Sequence, residues 1–281
     1  MDAQRRHHYL EAIGIDVWVP RALADMVAVE DRETAAAPLS APAPPSAPTP
    51  ATADTAARRG PSAELPEPRA QATGDSVAFL KPPTAPGAPL SPEVAAQWDS
   101  LRSQVATCTK CALHSSRTQG VFGVGNPQAD WLVIGEAPGA EEDRRGEPFV
   151  GRAGQLLDAM LKAIGLSRET NVFIANVLKS RPPGNRDPKP EEVAACLPYL
   201  MRQIALMRPR LILAVGRIAA QNLLSTDMPL GRLRGKVHRF GELNTPLIVT
   251  YHPAYLLRTP GDKRKAWDDL KFARGVFREL M

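Results

Sequence analysis

Two patterns of apolar and polar positions alternate along the second two-thirds of the chain. "WLVIGEAP" (131–138) is a short apolar run closed by a Gly/Pro turn, as expected of a strand buried on both faces. "GRAGQLLDAMLKAIGL" (151–166) then spaces its apolar residues at helical intervals. "NVFIANVL" (171–178) predicts a second strand. "PKPEEVAACLPYLMRQIALMRP" (188–209) predicts a helix, with Pro190 near its start and acids in its first turn. "LILAVG", "RIAAQNLL", "PLIVTYHP" and "RKAWDDLKFARGVFREL" continue the alternation to the end of the chain. Strands alternating with helices predict an α/β fold with a mostly parallel sheet covered on both faces. Ligands of such sheets bind at the carboxyl ends of the strands. "GEAPG", "NVLKS", "AVGR" and "YHPAY" fall there.

Upstream the pattern disappears. Fourteen of the 28 prolines lie from Pro38 to Pro92, among Ala, Ser and Thr. Such a composition cannot bury enough apolar surface to offset chain entropy, so residues 36–91 are expected to form a disordered linker. Residues 1–35 hold the short apolar segment "YLEAIGIDVWVPRAL", too short to fold alone, and are expected to dock on a partner or on the chain's own surface. The globular domain is expected over 92–281.

Charge sharpens this division. Residues 1–95 carry 8 Lys and Arg against 12 Asp and Glu, whereas 96–281 carry 27 against 18. The basic excess thus belongs to the folded part and suits a polyanion such as nucleic acid, although a merely basic enzyme would read the same way. No apolar run reaches the roughly 18 residues of a membrane span, and "MDAQRRHHYL" has no apolar signal core. Three cysteines do not make a secreted disulfide framework. A reducing cytoplasm and a monomer are the expectations.

Singly, the strand-end motifs are weak. "GVG" (123–125) lacks the dinucleotide-binding spacing, and no Walker sequence is present. Together they bring a carboxylate (Glu136), an aromatic ring (Phe149), a carboxamide (Asn176) and an imidazole (His252) to one edge of a basic domain. "GEAPGAEEDRRGEPFVGRAGQLLDAML", "NVLKSRPPGNRDPKPEEVAAC" and "HPAYLLR" resemble the motifs of family 4 uracil-DNA glycosylases, the iron–sulfur type, in the same order over roughly 96–281.

That resemblance implies a three-layer α/β/α sandwich that flips uracil out of DNA and cleaves its N-glycosidic bond. Asn176 would read the uracil edge, Phe149 would stack on the ring or pack in the core, and His252 would donate a hydrogen bond to the charge growing at O2. Gly135, Ala137 and Gly139 would line the pocket with backbone groups. Glu136 would either act on water and the sugar or brace its loop. Glu142 and Asp143 are expected to be first-turn or solvated acids. Lys179, Arg181 and Arg186 are expected on phosphate. Leu256 and Leu257 would wedge the gap beside Arg258 or begin a buried helix. The alternative function is a catalytically weak DNA-binding module of replication or repair.

In the resembled family four cysteines hold a [4Fe–4S] cluster. Cys108, Cys111 and Cys196 match, but Ser180 stands at the remaining position. An oxygen ligand from Ser180, completion by His114 or water, a three-iron cluster, a zinc ion and no metal at all stay open. "RRHHYLEAIGIDVWVPR" loosely resembles the N-terminal peptide of the psi subunit of bacterial DNA polymerase III, which implies a clamp-loader partner for residues 1–35. The implied setting is a bacterial cytoplasm, at the nucleoid.

Overall fold

A computed structural model describes residues 90–281. The docking segment expected over 1–35, and all but the end of the 36–91 linker, lie outside the described residues. Helix α1 (Pro92–Ala106) opens the fold, capped by the Ser91 hydroxyl, which accepts from Val94 N. A short β1 (Val124–Gly125) leads into β2 (Trp131–Gly135), α2 (Ala140–Arg145) and α3 (Arg152–Ala163). Then follow β3 (Val172–Asn176), α4 (Pro190–Met207), β4 (Leu211–Val215), α5 (Arg217–Leu224) and α6 (Leu230–Leu233). The chain closes with β5 (His238–Phe240), β6 (Thr245–Thr250), α7 (Pro253–Arg258) and α8 (Lys263–Glu279).

Among the described residues six strands form one sheet in the order β1-β3-β2-β4-β6-β5. The four central strands are parallel, and the two short edge strands are antiparallel to their neighbours. Successive side chains on a strand point to opposite faces. Leu132, Ile134, Phe173, Ala175, Ile212, Ala214, Leu247 and Val249 therefore pack on one side with α1, α4 and α5. Trp131, Val133, Val172, Ile174, Leu213 and Ile248 pack on the other with α3 and α8. With both faces covered, the strands read as continuous apolar runs. Each fully buried aliphatic side chain contributes roughly 1.5–3 kcal/mol. Trp98 meets Phe122 and Phe173 at 5.5 and 5.2 Å, closing α1 onto the first face.

Strand order changes direction around β2 and β4. Gly135 and Asn176 end β2 and β3 in register. Gly216 follows β4, and His252 follows β6 and caps α7. One rim of the sheet therefore holds the expected site residues.

Candidate active site

Asn176 is 1% exposed, yet neither its Nδ2 nor its Oδ1 has a hydrogen-bond partner among the described residues. An orphaned buried carboxamide costs about 1–3 kcal/mol. Its backbone, by contrast, is fixed: Lys179 Nζ donates to Asn176 O at 2.9 Å and to Gln203 Oε1 at 2.6 Å.

Phe149 sits beside Asn176, its ring centroid 5.5 Å from that of His252. A Cβ on Gly135 would lie 2.4 Å from Asn176 Oδ1 and 2.6 Å from Phe149 Cζ, so only glycine leaves room for both groups. Phe149 adopts φ +54°, a left-handed conformation that is rare for a bulky residue and must be held by its surroundings. Glu142 supplies part of that hold. Its Oε1 accepts from Val150 N at 2.9 Å and Gly151 N at 3.1 Å, while Oε2 accepts from Gly139 N at 3.1 Å.

His252 Nδ1 accepts from Ala254 N at 3.1 Å. The neutral ring then carries its proton on Nε2. Burial, with the Arg258 charge adding to it and Glu142 opposing it, pushes the imidazole down to about 4. The ring is therefore a neutral donor at physiological pH. Gly216, at φ +101°, gives it space: a Cβ there would come within 3.0 Å of His252 Cβ. Glu136 goes the other way. Burial first, then the Asp187 charge, raise its carboxyl to about 7 against a lowering by Arg217. Arg217 and Asp187 pair at 2.7 Å on the adjoining surface.

Several expectations need correction. Lys179 is 1% exposed and bonded inside the protein, so it does not reach a phosphate; burial lowers its ammonium to about 8. Leu256 is 1% exposed in α7, which leaves Leu257, at 37%, as the apolar side chain at the surface beside Arg258. Arg186 binds both Glu192 oxygens, at 2.8 and 2.5 Å, bracing the loop before α4. The Gly139 amide is engaged by Glu142 and is not free to line the pocket; the Ala137 methyl packs against the apolar core, which leaves the expectation for its backbone groups as it stands. Glu142 and Asp143 are in the first turn of α2 but are organising groups: buried Asp143 accepts from Thr118 N at 3.0 Å and Thr118 Oγ1 at 2.7 Å. Arg181 stays near the surface, its Nε donating to Asn185 Oδ1 at 2.8 Å.

Cys108, Cys111 and Cys196 line one pocket with His114, Arg117, Ser180 and Tyr199. Cys196 Sγ accepts from Lys179 N at 3.0 Å. Ser180 Oγ accepts from Arg117 Nη1 at 2.7 Å, and Arg117 Nη2 also donates to the carbonyls of Ala106 and Cys108. Among the described residues no group of three or more His, Cys, Asp or Glu converges as a single metal ion requires. A cluster spreads its thiolates over different irons, so three soft donors around a common pocket fit it better than zinc.

The uracil DNA glycosylase superfamily model matches residues 122–271, more than half of the chain. A type-4 uracil-DNA glycosylase of Archaeoglobus fulgidus is 47% identical over 62% of this chain and 89% of its own length. One from Pyrobaculum aerophilum is 44% identical over 64% and 95%, and one from Sulfurisphaera tokodaii 42% over 63% and 83%. The chain belongs to the uracil-DNA glycosylase superfamily. Within that superfamily it sides with the type-4 enzymes, and the rim that gathers Gly135, Phe149, Asn176 and His252 falls inside the matched region. No helix among the described residues is long and apolar enough to cross a membrane.

The sequence expectation for Glu142 is only a first-turn or solvated acid, and Arg117, Arg168, Asp187 and Arg217 carry none. Glu142, three residues after Gly139, has the spacing of a residue reaching back to a helix start. Arg117, Arg168, Asp187 and Arg217 act across separations that no local spacing encodes.

Proposed function

We propose that this chain removes uracil from DNA by hydrolysing the bond between N1 of the base and C1′ of the sugar, leaving an abasic site. The observation that carries this reading is the orphaned Asn176 carboxamide, buried beside a fixed aromatic ring and a neutral imidazole donor. A base within a duplex is out of reach and must be extruded first. Once flipped, it stacks on Phe149. Asn176 Nδ2 donates to O4, and Oδ1 accepts from N3–H, a pattern that cytosine inverts. These bonds satisfy the two groups of the Asn176 carboxamide that have no partner among the described residues.

As the C1′–N1 bond lengthens, its electron pair moves into the base and charge grows on O2. His252 Nε2–H donates to that oxygen without giving up its proton. Ionised Glu136 steadies the positive sugar and orients water; the water oxygen bonds to C1′, and its proton leaves through the carboxylate. Leu257 fills the gap left by the base, and Arg258 and Arg181 bind phosphate. Cys108, Cys111 and Cys196 would hold an iron–sulfur cluster, with Ser180 at the place of a fourth thiolate. The cluster, when bound, is a structural cross-link between the C-x-x-C arm and the 179–196 segment. Residues 1–35 tether the domain to a replication protein in the cytoplasm, and a pull-down with that segment that recovers no such protein would remove this role.

The test is excision. Full-length protein is incubated with single- and double-stranded oligonucleotides carrying one uracil, followed by alkali. Strand cleavage at uracil and none at thymine is expected, with His252→Ala binding the same DNA but releasing base at least 100-fold more slowly. An inert wild-type protein on both substrates would refute the activity and leave a DNA-binding module.

A further inference from the structure

The loop joining α2 to α3 is pinned on two sides, and only one of them belongs to the pocket rim. Glu142 takes the amides of Val150 and Gly151. The carbonyls on the opposite side go to Arg168, nineteen residues away in the turn between α3 and β3. Its Nη2 donates to Phe149 O at 2.8 Å and its Nη1 to Pro148 O at 3.2 Å. Asp158, on α3, holds the guanidinium from behind: Nε donates to Asp158 Oδ1 at 2.8 Å, and Nη2 lies 2.7 Å from the same oxygen. The Arg168 side chain is only 14% exposed. The first turn of α3 presses on the same carbonyl, since a Cβ on Gly154 would lie 1.8 Å from Phe149 O.

We propose that Arg168 is a positioning residue for base excision, fixing the Phe149 ring at its left-handed backbone so that a flipped base finds a preset stacking surface. This rests on Phe149 being the surface on which the base stacks. The chemistry needed is that of a planar fork. Two successive carbonyls and a carboxylate oxygen must be reached at once, which guanidinium does and a lysine ammonium, a flexible point charge, does not. Released from Arg168, Phe149 would relax from φ +54° toward commoner backbone angles and carry its ring away from Gly135 and His252. Stacking acts on the bound base before and during bond cleavage alike, so its loss weakens binding more than it slows chemistry.

A double-mutant cycle tests this in the full-length chain, with single-turnover excision titrated over enzyme concentration and thermal melting as a check on folding. Arg168→Gln is expected to raise the half-saturating concentration on the order of tenfold, with the maximal rate within about threefold of wild type. Arg168→Lys is expected to recover little of the loss. In a Phe149→Leu background the same Arg168→Gln change is expected to do nothing further. Equal losses in both backgrounds, or no loss with Phe149 present, would overturn the proposal. Should Arg168→Gln fail to fold, Asp158→Asn, which loosens the guanidinium without removing it, decides by the same cycle: a smaller, Phe149-dependent rise supports the proposal, and a Phe149-independent one refutes it. Wild-type protein that releases no uracil would instead sink the excision reading itself, an outcome read before any variant is compared.

Discussion

Gly135→Ala isolates the pocket from the rest of the fold. The new methyl carbon would stand 2.4 Å from Asn176 Oδ1, 2.6 Å from Phe149 Cζ and 2.7 Å from Phe149 Cε2. Gly135 is not among the glycines held at positive φ, so the collision is purely steric and the backbone itself accepts alanine. Which group yields follows from how each is held. Asn176 has no side-chain partner to lose and turns away readily, whereas Phe149 is pinned through Glu142 and Arg168 on both sides of its peptide. Overpacking of this kind costs about 1–3 kcal/mol. In a domain of this size that lowers Tm by roughly 2–12 °C, leaving folded protein at 25 °C. Activity suffers far more, because a displacement of about 1 Å in a base-reading group costs on the order of 100-fold. Thermal melting and single-turnover release of uracil from a labelled oligonucleotide measure the two effects on one sample. Gly135→Ala protein with excision within threefold of wild type would refute the steric account of the pocket and the role given to Asn176.

Asn176→Asp replaces the amide donor to O4 with an acceptor and should reduce excision by at least 100-fold while narrowing the preference for uracil over cytosine; competition between the two substrates measures it. The proposed mechanism uses Glu136 as the carboxylate, and its carboxyl is raised to about 7, so kcat/KM should climb with pH and level off above about 7. Removing the nearby negative charge with Asp187→Asn favours ionisation and should move that limb to lower pH; a shift to higher pH, or none, would contradict the assignment of Asp187. The His252 pKa is depressed to about 4 in the folded protein, so the unfolded chain binds this proton first. This residue's contribution to stability is therefore present above about pH 6.5 and is lost as pH falls toward 4, and His252→Gln should flatten that part of a pH–Tm curve. Ser180→Cys should raise iron and sulfide retained per chain after anaerobic purification, read by metal analysis and visible absorbance; unchanged, iron-free protein would remove the cluster from the 180 position.

The alternating α/β pattern could be read from the chain because every central strand is buried on both faces and so shows as an unbroken apolar run. The edge strands could not: β1 has two residues and β5 reads His-Arg-Phe, neither long enough to display a period. At the rim, residue type announced Asn176, Phe149 and His252, but type alone does not state direction. Lys179 and Leu256 show the limit. Lys179 was expected on phosphate, yet the segment 172–180 stays buried well beyond the end of β3; Leu256 was left between a wedge and a buried helix, and α7 turns it inward while presenting Leu257. The steric demand on Gly135, and the grip of Arg168 on the Phe149 loop, arise from contacts between distant segments, for which a linear pattern holds no signal.

Arg117 joins Ser180 to the carbonyls of Ala106 and Cys108, spanning the same two segments that thiolates on a shared cluster would join. Exchanging one sulfur for oxygen at this spot therefore leaves a direct tie in place. Asn176, four residues upstream and the proposed reader of the base, would therefore not depend on a cluster alone for its footing. Metal content at the cysteines and the placement of the 176–180 segment are thereby partly uncoupled, since Arg117 ties the two segments whether or not a cluster is bound.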